Sequence, residues 1–413
     1  MTAGDDQGHA RLGELAAPAE APGARVILDA RPLQDPDRAP ITAIYLRELL
    51  AAYARHPLEG ESFTLLLEAG GDDPGLPEGL PVAGRRQLPK TRLLRSAALT
   101  IDPFFLRAAA LGAGWRADAT GAAGVVYHAA GGYMPLGLRH PLVVTLLDLA
   151  PWELPQRYQQ SPASRFGQRL RARVLRDAAA VVVASEATAT DARRLLRVRR
   201  AALRVVPLAP RPEFRPVTDP ALIEAARQRL GLTDDYVVYQ GRYDARHDLP
   251  TLLRALAILR GTTPTRLLLV GASPEDRASL ARAARREGVD DLLAYTPLAD
   301  EGQPTALIAG ARAAVLPVLS DANALAALEA LACATPVVAS AVGALPEVIG
   351  RAGILVEPES PERLATAIGV LVRGEPAATA IRRAARTAAL ANRTWEDVAR
   401  DTRAIYAEAA TKR

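Results

Sequence analysis

Two carboxylates, Asp321 and Glu329, lie eight positions apart within residues 313–348, a stretch that alternates short apolar runs with polar loops. Eight positions are about two turns of a helix. A carboxylate accepts hydrogen bonds from hydroxyl groups, and the free N–H groups at a helix N-terminus hold phosphate oxygens. The spacing therefore indicates a site for a ligand with hydroxyls and phosphates. An aspartate that only caps a helix and a glutamate that is satisfied in a core remain an open alternative.

The elements around these carboxylates are predicted to be strand, loop, helix and strand. Residues 313–316 form an apolar run of strand length. The loop that follows contains Ser320, Asp321 and Asn323, all of which favour helix N-caps. Pro336 cannot continue the helix, which therefore ends before the next apolar run. This is a parallel crossover unit, and in open sheets of such units ligands bind at the carboxyl ends of the strands. Asp321 is expected at such an end.

Strand-like apolar runs alternate with helical patterns through both halves of the 413-residue chain. Strands are predicted at residues 25–29, 63–67, 124–127, 142–147, 180–183 and 203–206, and then at 236–239, 266–270, 292–295, 313–316, 336–339 and 354–356. Residues 69–90 are predicted to be a long connection, and residues 381–410 a single helix. This alternation predicts an α/β protein with two Rossmann-like domains, each built on a doubly wound parallel sheet.

The composition is that of an ordinary globular chain, with 49% hydrophobic and 23% charged residues. The net charge of +5 comes almost entirely from arginine, and aromatic residues make up only 4%. Basic and aromatic residues are not interleaved as nucleic-acid binding requires, so no nucleic-acid partner is expected. The single cysteine, Cys333, excludes an internal disulfide and fits a reducing compartment. Residues 1–20 lack the apolar core of a secretory signal, so a cytoplasmic location is expected.

Several well-known site patterns are missing from the sequence. There is no Walker-type phosphate loop, no HExxH and no cysteine-rich metal motif, and no metal is therefore expected. No G-x-G-x-x-G follows a first strand with an acidic residue on the next strand, which argues against a nicotinamide-dependent oxidoreductase.

The stretch that carries the two carboxylates resembles the signature of the family 4 glycosyltransferases, also called glycosyl transferases group 1. That signature has two acidic residues separated by seven others, a strand entry similar to Ala-Cys-Gly-Thr-Pro-Val-Val-Ala, and a Gly-x-x-Pro-Glu turn. The corresponding residues here are Asp321, Glu329, residues 332–340 and residues 343–347. The resemblance extends over nearly the whole chain.

The resemblance implies the GT-B fold, in which two Rossmann-like domains face a cleft and the last helix returns to the first domain. The expected parts are a disordered tail at residues 1–23, an acceptor domain at 24–210, a linker at 211–218, a nucleotide-sugar domain at 219–390 and the returning helix at 391–413. The implied activity is a retaining, metal-independent transfer of a sugar from a UDP- or GDP-linked donor, without a cofactor other than this co-substrate. A sugar, lipid-linked or polysaccharide acceptor is expected.

The same resemblance implies which residues bind the donor. Arg242 is expected to clamp the diphosphate and stabilise it as a leaving group, Glu329 to bind the ribose and Asp321 to bind the sugar hydroxyls. These three are the expected catalytic residues. The expected donor-binding residues are Gly241, Arg242, His247, Gly271, Asn323, Ala324, Leu325 and Glu329. His247 stands where the family has a lysine.

Several of these positions depart from the family pattern. Leu147 stands where relatives have a histidine, Asp321 is one methylene shorter than the usual glutamate, and residues 322–324 and Ala334 replace glycine-bearing segments. All of these departures fall on ligand-facing positions, while packing positions are kept. The sequence therefore leaves two interpretations open. One is an active glycosyltransferase, and the other is a pseudoenzyme that acts as a partner subunit or binds a nucleotide sugar without turnover.

A basic amphipathic helix is predicted at residues 165–176, where four arginines recur at helical spacing beside an apolar stripe. Such a helix can lie on an anionic membrane. A simply solvated helix face is the other interpretation. If the first interpretation holds, the protein is expected to be peripheral at the inner membrane face and to meet a lipid-linked acceptor there.

Overall fold

The structure is a computed structural model, and it describes residues 23–90, 103–110, 124–131, 134–296 and 303–411. The predicted disorder of residues 1–23 lies outside the described residues, apart from Gly23. Within them, two separate parallel sheets of seven and six strands are present. Both contain strands joined by helical crossovers, which confirms the predicted α/β class with two Rossmann-like sheets.

The first sheet has the strand order β3-β2-β1-β4-β5-β6-β7, with every pair parallel. Its strands are β1 Arg25–Asp29, β2 Ser62–Glu68, β3 Val82–Leu88, β4 Val125–Ala130, β5 Leu142–Thr145, β6 Ala180–Val183 and β7 Leu203–Val205. The strand β3 corrects the prediction that residues 69–90 are only a connection. β3 is an edge strand whose side chains alternate between half-buried and exposed, so it lacks the apolar run by which the other strands were recognised.

Helices cover both faces of this sheet. They are α1 Arg31–Gln34, α2 Pro40–Arg55, α3 at residues 103–110, α4 Ala150–Glu153, α5 Pro155–Tyr158, α6 Pro162–Asp177 and α7 Glu186–Leu196, with a 3₁₀ turn at Arg200–Ala202. The helix α2 buries Tyr45, Leu46 and Leu49 against the sheet, because these residues recur on one helical face.

The second sheet has the order β10-β9-β8-β11-β12-β13, again all parallel. Its strands are β8 Tyr236–Gln240, β9 Arg266–Val270, β10 Leu293–Thr296, β11 Ala314–Leu316, β12 Val337–Ser340 and β13 Gly353–Val356. The helices that follow the first domain are α8 Pro220–Arg229, α9 Leu249–Arg260, α10 Pro274–Glu287, α11 Gln303–Ala309, α12 Leu325–Ala332, α13 Leu345–Ile349, α14 Pro361–Val372, α15 Pro376–Leu390 and α16 Trp395–Thr411, with a 3₁₀ turn at Asp290–Leu292.

The C-terminal region contains two helices, α15 and α16, and the prediction of one helix over residues 381–410 is wrong. The break follows from a cap that the sequence carries. The Asp397 carboxylate accepts a hydrogen bond from the Thr394 backbone N–H (3.0 Å), and the Thr394 hydroxyl accepts one from the Asp397 N–H (3.3 Å). This reciprocal pattern starts a new helix at Trp395.

The helix α16 packs on the first domain. Trp395 and Tyr406 lie in the same core cluster as Tyr45 and Leu46 of α2. The Tyr406 hydroxyl lies 2.7 Å from Nδ1 of His128 on β4, which is fully buried. Residues from the two ends of the chain therefore form one hydrophobic core.

Ala324 and Ala334 both adopt left-handed backbone conformations, with φ of 52° and 60°. The resemblance described above predicts glycine at both positions. A residue with a Cβ pays about 1–2 kcal/mol there, whereas glycine loses about 0.5–1 kcal/mol through its more flexible unfolded state.

We therefore expect Ala334→Gly to raise the free energy of unfolding by about 0.5–1 kcal/mol, measured by urea denaturation. The matched control is Ala281→Gly within the helix α10, which is expected to lower it by about 1 kcal/mol. Equal destabilisation by both changes would show that Ala334 is not strained.

Candidate active site

A cleft of about 640 Å³ lies at the carboxyl ends of strands from both sheets. All predicted site residues except Ala324 line it, namely Gly241, Arg242, His247, Gly271, Asp321, Asn323, Leu325 and Glu329. Ala324 is fully buried next to them. The structure thus brings together residues that are up to 88 positions apart in the sequence, as expected when loops follow neighbouring parallel strands.

The loop between β8 and α9 supplies the positive side of the cleft. Arg242, which is 36% exposed, and Arg246, which is 11% exposed, both approach the Asp244 carboxylate. Nδ1 of His247 lies 2.8 Å from the other oxygen of Asp244. Burial opposes ionisation of this carboxyl, but the hydrogen bond from His247 and the charge of Arg246 outweigh it and lower the pKa of Asp244 to about 2. Asp244 therefore stays ionised and holds the three basic side chains together.

Glycines at two strand ends allow close approach in the cleft. A Cβ on Gly241 would lie 2.8 Å from the Tyr239 hydroxyl, so a larger residue would displace the buried tyrosine. Gly271, which directly follows β9, has a φ of +77° that other residues rarely adopt. Both glycines are consistent with the expectation that the backbone here comes close to a ligand.

Glu329 lies on α12 and its side chain is only 2% exposed. Its two carboxylate oxygens accept hydrogen bonds from Nε (2.5 Å) and Nη2 (3.1 Å) of Arg211, and from Nε2 of Gln240 (2.5 Å). Burial raises the pKa of Glu329, and the hydrogen bond and charge of Arg211 oppose that shift. The carboxylate is therefore held in a fixed orientation at the wall of the cleft.

Sequence reasoning missed Arg211 and Gln240. Arg211 belongs to the segment between the two sheets, and its guanidinium also stacks over the ring of Phe214, 4.6 Å from the ring centroid. No sequence pattern links it to Glu329, because the two are 118 positions apart. Gln240 is the last residue of β8, and its position at a strand end was the one available signal.

The backbone N–H groups just before and at the start of α12 are hydrogen-bonded by side chains of the preceding loop. Oδ1 of Asp321 accepts hydrogen bonds from the backbone N–H groups of Asn323 (3.0 Å) and Ala324 (2.8 Å). Oδ1 of Asn323 accepts one from the N–H of Leu325 (3.0 Å). Asp321 thus closes the loop before α12 and is not its N-cap, which is Ala324, a residue without a side-chain cap. A phosphate would have to displace Asp321 and Asn323 to reach the amides of residues 323–325.

The first domain contributes an apolar wall to the cleft. Pro40, Ile41 and Ile44 at the start of α2 line it, together with Asp37. Leu147, in contrast, packs in the first-domain core and is only 3% exposed. The Leu147 side chain therefore belongs to the core and not to the lining of the cleft.

Polar contacts join the two domains beside the cleft. Nη1 of Arg246 donates to Oδ1 of Asp148 (2.8 Å), and Nδ2 of Asn323 donates to the carbonyl oxygen of Leu147 (3.0 Å). The Glu347 carboxylate accepts a hydrogen bond from the N–H of Glu186 (3.0 Å) at the start of α7. The loops that carry the predicted donor-binding residues are therefore the same loops that touch the first domain.

In the described part of the chain, no group of three or more His, Cys, Asp and Glu side chains has the arrangement of a metal site. None of the described helices alone is long and apolar enough to cross a membrane, although α14 and α15, bent by 81° at their junction, pass such a test as a pair. Burial raises the pKa of Cys333 to about 12, so this thiol is not a reactive nucleophile.

Two family models match the chain. Residues 42–209 match the glycosyl transferase 4-like domain, and residues 234–373 match the glycosyl transferases group 1. Each model falls on one of the two sheets.

Curated relatives agree with these matches. A D-inositol 3-phosphate glycosyltransferase of Streptomyces griseus is 35% identical over 173 residues, which are 38% of this chain and 36% of that enzyme. The O-antigen chain mannosyltransferase B of Escherichia coli is 27% identical over 248 residues, 59% of this chain and 64% of that enzyme. The chain thus spans little more than a third of the Streptomyces relative that it matches.

Solved structures share the fold over nearly the full chain. A sucrose-phosphate synthase from Thermosynechococcus elongatus has a TM-score of 0.66 at 22% identity and covers 91% of this chain and 96% of its own. The Anabaena protein HepE in complex with UDP-glucose has a TM-score of 0.67 at 18% identity, covering 91% and 97%. The two family models together match about three quarters of the sequence, and with two parallel Rossmann-like sheets that face a cleft, the chain belongs to the group 1 glycosyltransferases of family 4, which have the GT-B fold.

Proposed function

We propose that this chain transfers a sugar from a nucleotide-sugar donor to an acceptor, with retention of the anomeric configuration. One observation carries the proposal: Arg242, Asp321 and Glu329 line a single cleft between two Rossmann-like domains. The HepE structures are complexes with UDP and glucose or with UDP-glucose, which supports a nucleotide sugar as the kind of donor. A UDP- or GDP-linked sugar is the proposed co-substrate.

The proposed roles follow from exposure and charge. Arg242 is partly exposed to the cleft and has a guanidinium fork that matches two phosphate oxygens. Glu329, oriented by Arg211 and Gln240, would accept hydrogen bonds from ribose hydroxyls at its cleft-facing edge. Asp321 would turn away from the backbone N–H groups of Asn323 and Ala324 toward the sugar, which frees these two amides for the diphosphate.

The chemistry that these residues can perform is stabilisation of a leaving group. As the bond between the anomeric carbon and the diphosphate breaks, negative charge develops on the diphosphate oxygens. Fixed positive groups that face those oxygens lower the barrier without a protein base, because they need no reorganisation during the reaction. We therefore propose a metal-independent reaction in which arginine supplies the charge.

The test is an assay of donor hydrolysis and transfer with a panel of UDP-, GDP- and ADP-sugars, with and without EDTA. Turnover of one donor that EDTA leaves unchanged is the expected result, and NMR of the product should show the anomeric configuration of the donor. Failure of every donor to bind would contradict the proposal, and an inverted product would contradict the retaining mechanism.

A second candidate is a glycosyltransferase-like protein that binds a nucleotide sugar without turnover or acts as a partner subunit. The observation in its favour is the loop before α12, where Asp321 and Asn323 occupy the amides of residues 323–325 that a diphosphate would use. The same panel separates the two candidates. Binding of a donor without hydrolysis or transfer would favour the second one.

For the acceptor, we propose a sugar, polysaccharide or lipid-linked molecule that is met at the cytoplasmic face of the inner membrane. The helix α6 supports this part of the proposal. Arg165, Arg169 and Arg173 are all exposed on it, and Phe166 is 54% exposed, which is unusual for an aromatic side chain. An anionic lipid surface would satisfy the arginines and cover the ring.

We expect the variant Arg165→Glu/Arg169→Glu/Arg173→Glu to bind vesicles that contain 30% phosphatidylglycerol at least about tenfold more weakly, since each basic residue near such a surface contributes about 1 kcal/mol. Vesicle co-sedimentation measures it. The control carries the same charge change on α10, Arg282→Glu/Arg285→Glu/Arg286→Glu, and should bind like the wild type. If both variants lost vesicle binding equally, the change in net charge would explain the loss, and a specific role of α6 would be contradicted.

A further inference from the structure

Two guanidinium groups of the β8–α9 loop converge on one carboxylate oxygen. Nε of Arg242 lies 3.4 Å from Oδ2 of Asp244, and Nε of Arg246 lies 3.6 Å from the same atom. Both arginines line the cleft. The two positive groups are therefore adjacent, at a separation that neighbouring oxygens of a diphosphate can bridge.

Arg246 still has hydrogen-bonding capacity. Its side chain is 11% exposed, and Nη1 donates to Asp148 of the first domain at 2.8 Å. Nε is buried and makes no hydrogen bond, since its contact with Asp244 is too long. This buried N–H group is left without an acceptor, so the protein does not use the full hydrogen-bonding capacity of the guanidinium.

The neighbouring His247 does not supply a permanent charge. Nδ1 of this imidazole contacts Asp244, and its backbone N–H is bonded within the loop, to the carbonyl oxygen of the same aspartate. A guanidinium, in contrast, is protonated at every physiological pH and offers five donors in a fixed fork. A donor diphosphate carries more than one negative charge, so a single arginine would leave it only partly neutralised.

We propose that Arg246 is a second diphosphate-binding residue, which acts beside Arg242 and supplies the permanent charge that His247 lacks. This inference rests on the proposed function and adds a residue to it. The Asp148 carboxylate of the first domain holds the Arg246 guanidinium in place. The Asp244 carboxylate contacts both arginines. The diphosphate binds to the face of the pair that is open to the cleft.

The experiment is isothermal titration of the full chain with UDP, UMP, GDP and GMP. For the diphosphate that the wild type binds, Arg246→Gln should weaken affinity at least about tenfold, as expected for a lost charge-assisted hydrogen bond. Affinity for the matching monophosphate should change less than about threefold. Arg254→Gln, which removes an exposed arginine of α9 that does not line the cleft, should bind the diphosphate within about threefold of the wild type.

The outcomes distinguish the two proposals. If the wild type binds neither diphosphate, the proposed function itself fails. If the wild type binds one and Arg246→Gln binds it equally well, only the role of Arg246 is overturned. Equal losses in Arg246→Gln and Arg254→Gln would also overturn it, because the loss of one positive charge anywhere near the loop would then explain the effect. Thermal melting of each variant checks that it is folded.

Discussion

An Arg242→Ala variant is expected to lose about 10²–10³-fold in kcat/KM for the nucleotide-sugar donor, the effect seen when one preorganised donor to a developing negative charge is removed. Arg242 is the more exposed arginine in the β8–α9 loop. Its guanidinium contacts the Asp244 carboxylate at 3.4 Å, and both side chains are partly exposed. The loss should therefore appear in catalysis and in nucleoside-diphosphate affinity, with little change in the free energy of unfolding.

Two control variants sharpen this test. Arg242→Lys keeps the charge but not the planar fork and should retain part of the activity. Arg254→Ala removes an exposed arginine of α9 that does not line the cleft, and it should behave like the wild type. Unchanged affinity of Arg242→Ala for the nucleoside diphosphate would refute the clamp.

The largest expected effect on stability comes from Arg211→Met, which should lower the free energy of unfolding by about 3–5 kcal/mol. Removal of the guanidinium leaves the carboxylate of Glu329, only 2% exposed, with Gln240 as its remaining side-chain hydrogen-bond donor among the described residues. Urea denaturation followed by circular dichroism measures the change. The control Arg312→Met breaks the exposed pair with Asp235 and should cost less than about 1 kcal/mol.

The pH dependence of the same variant has a defined sign. Burial raises the pKa of Glu329, and without Arg211 that shift is larger. A raised pKa in the folded state means that the folded protein binds the proton more tightly than the unfolded chain does. The free energy of unfolding is therefore higher at acid pH and falls as the pH rises toward that pKa. The destabilisation by Arg211→Met should thus be smaller at pH 5 than at pH 8.

A double variant with Glu329→Gln should recover most of the loss and remove its pH dependence. A loss that persists unchanged in the double variant would contradict the buried-charge explanation.

Much of the fold could be predicted from the sequence because its strands are short apolar runs between turn residues. The strands β1, β6 and β9 have the predicted bounds, and most others differ by one to three residues at an end. The edge strand β3 was missed because its residues do not form an apolar run. It is a strand because it pairs with β2. The break before α16 was missed although the Thr394–Asp397 cap is visible in the sequence.

The candidate site could be predicted as far as strand ends reveal it. Loops after parallel strands meet at one edge, and this placed Arg242, Asp321 and Glu329 in one cleft. Arg211 and Arg246 could not be found in this way. Their importance depends on contacts with residues 118 and 98 positions away, Glu329 and Asp148, and a single sequence carries no pattern for such pairs.

The packing of α16 against β4 and α2 has a consequence for synthesis. The core of the amino-terminal lobe needs Trp395 and Tyr406, so a growing chain cannot complete that lobe until α16 has left the ribosome. The second sheet, in contrast, is built from one contiguous segment, Tyr236 to Val356. Although domains usually fold in order from the N-terminus, we expect the carboxyl-terminal lobe of this chain to reach its native state first. The amino-terminal lobe can complete its core only when α16 packs on it.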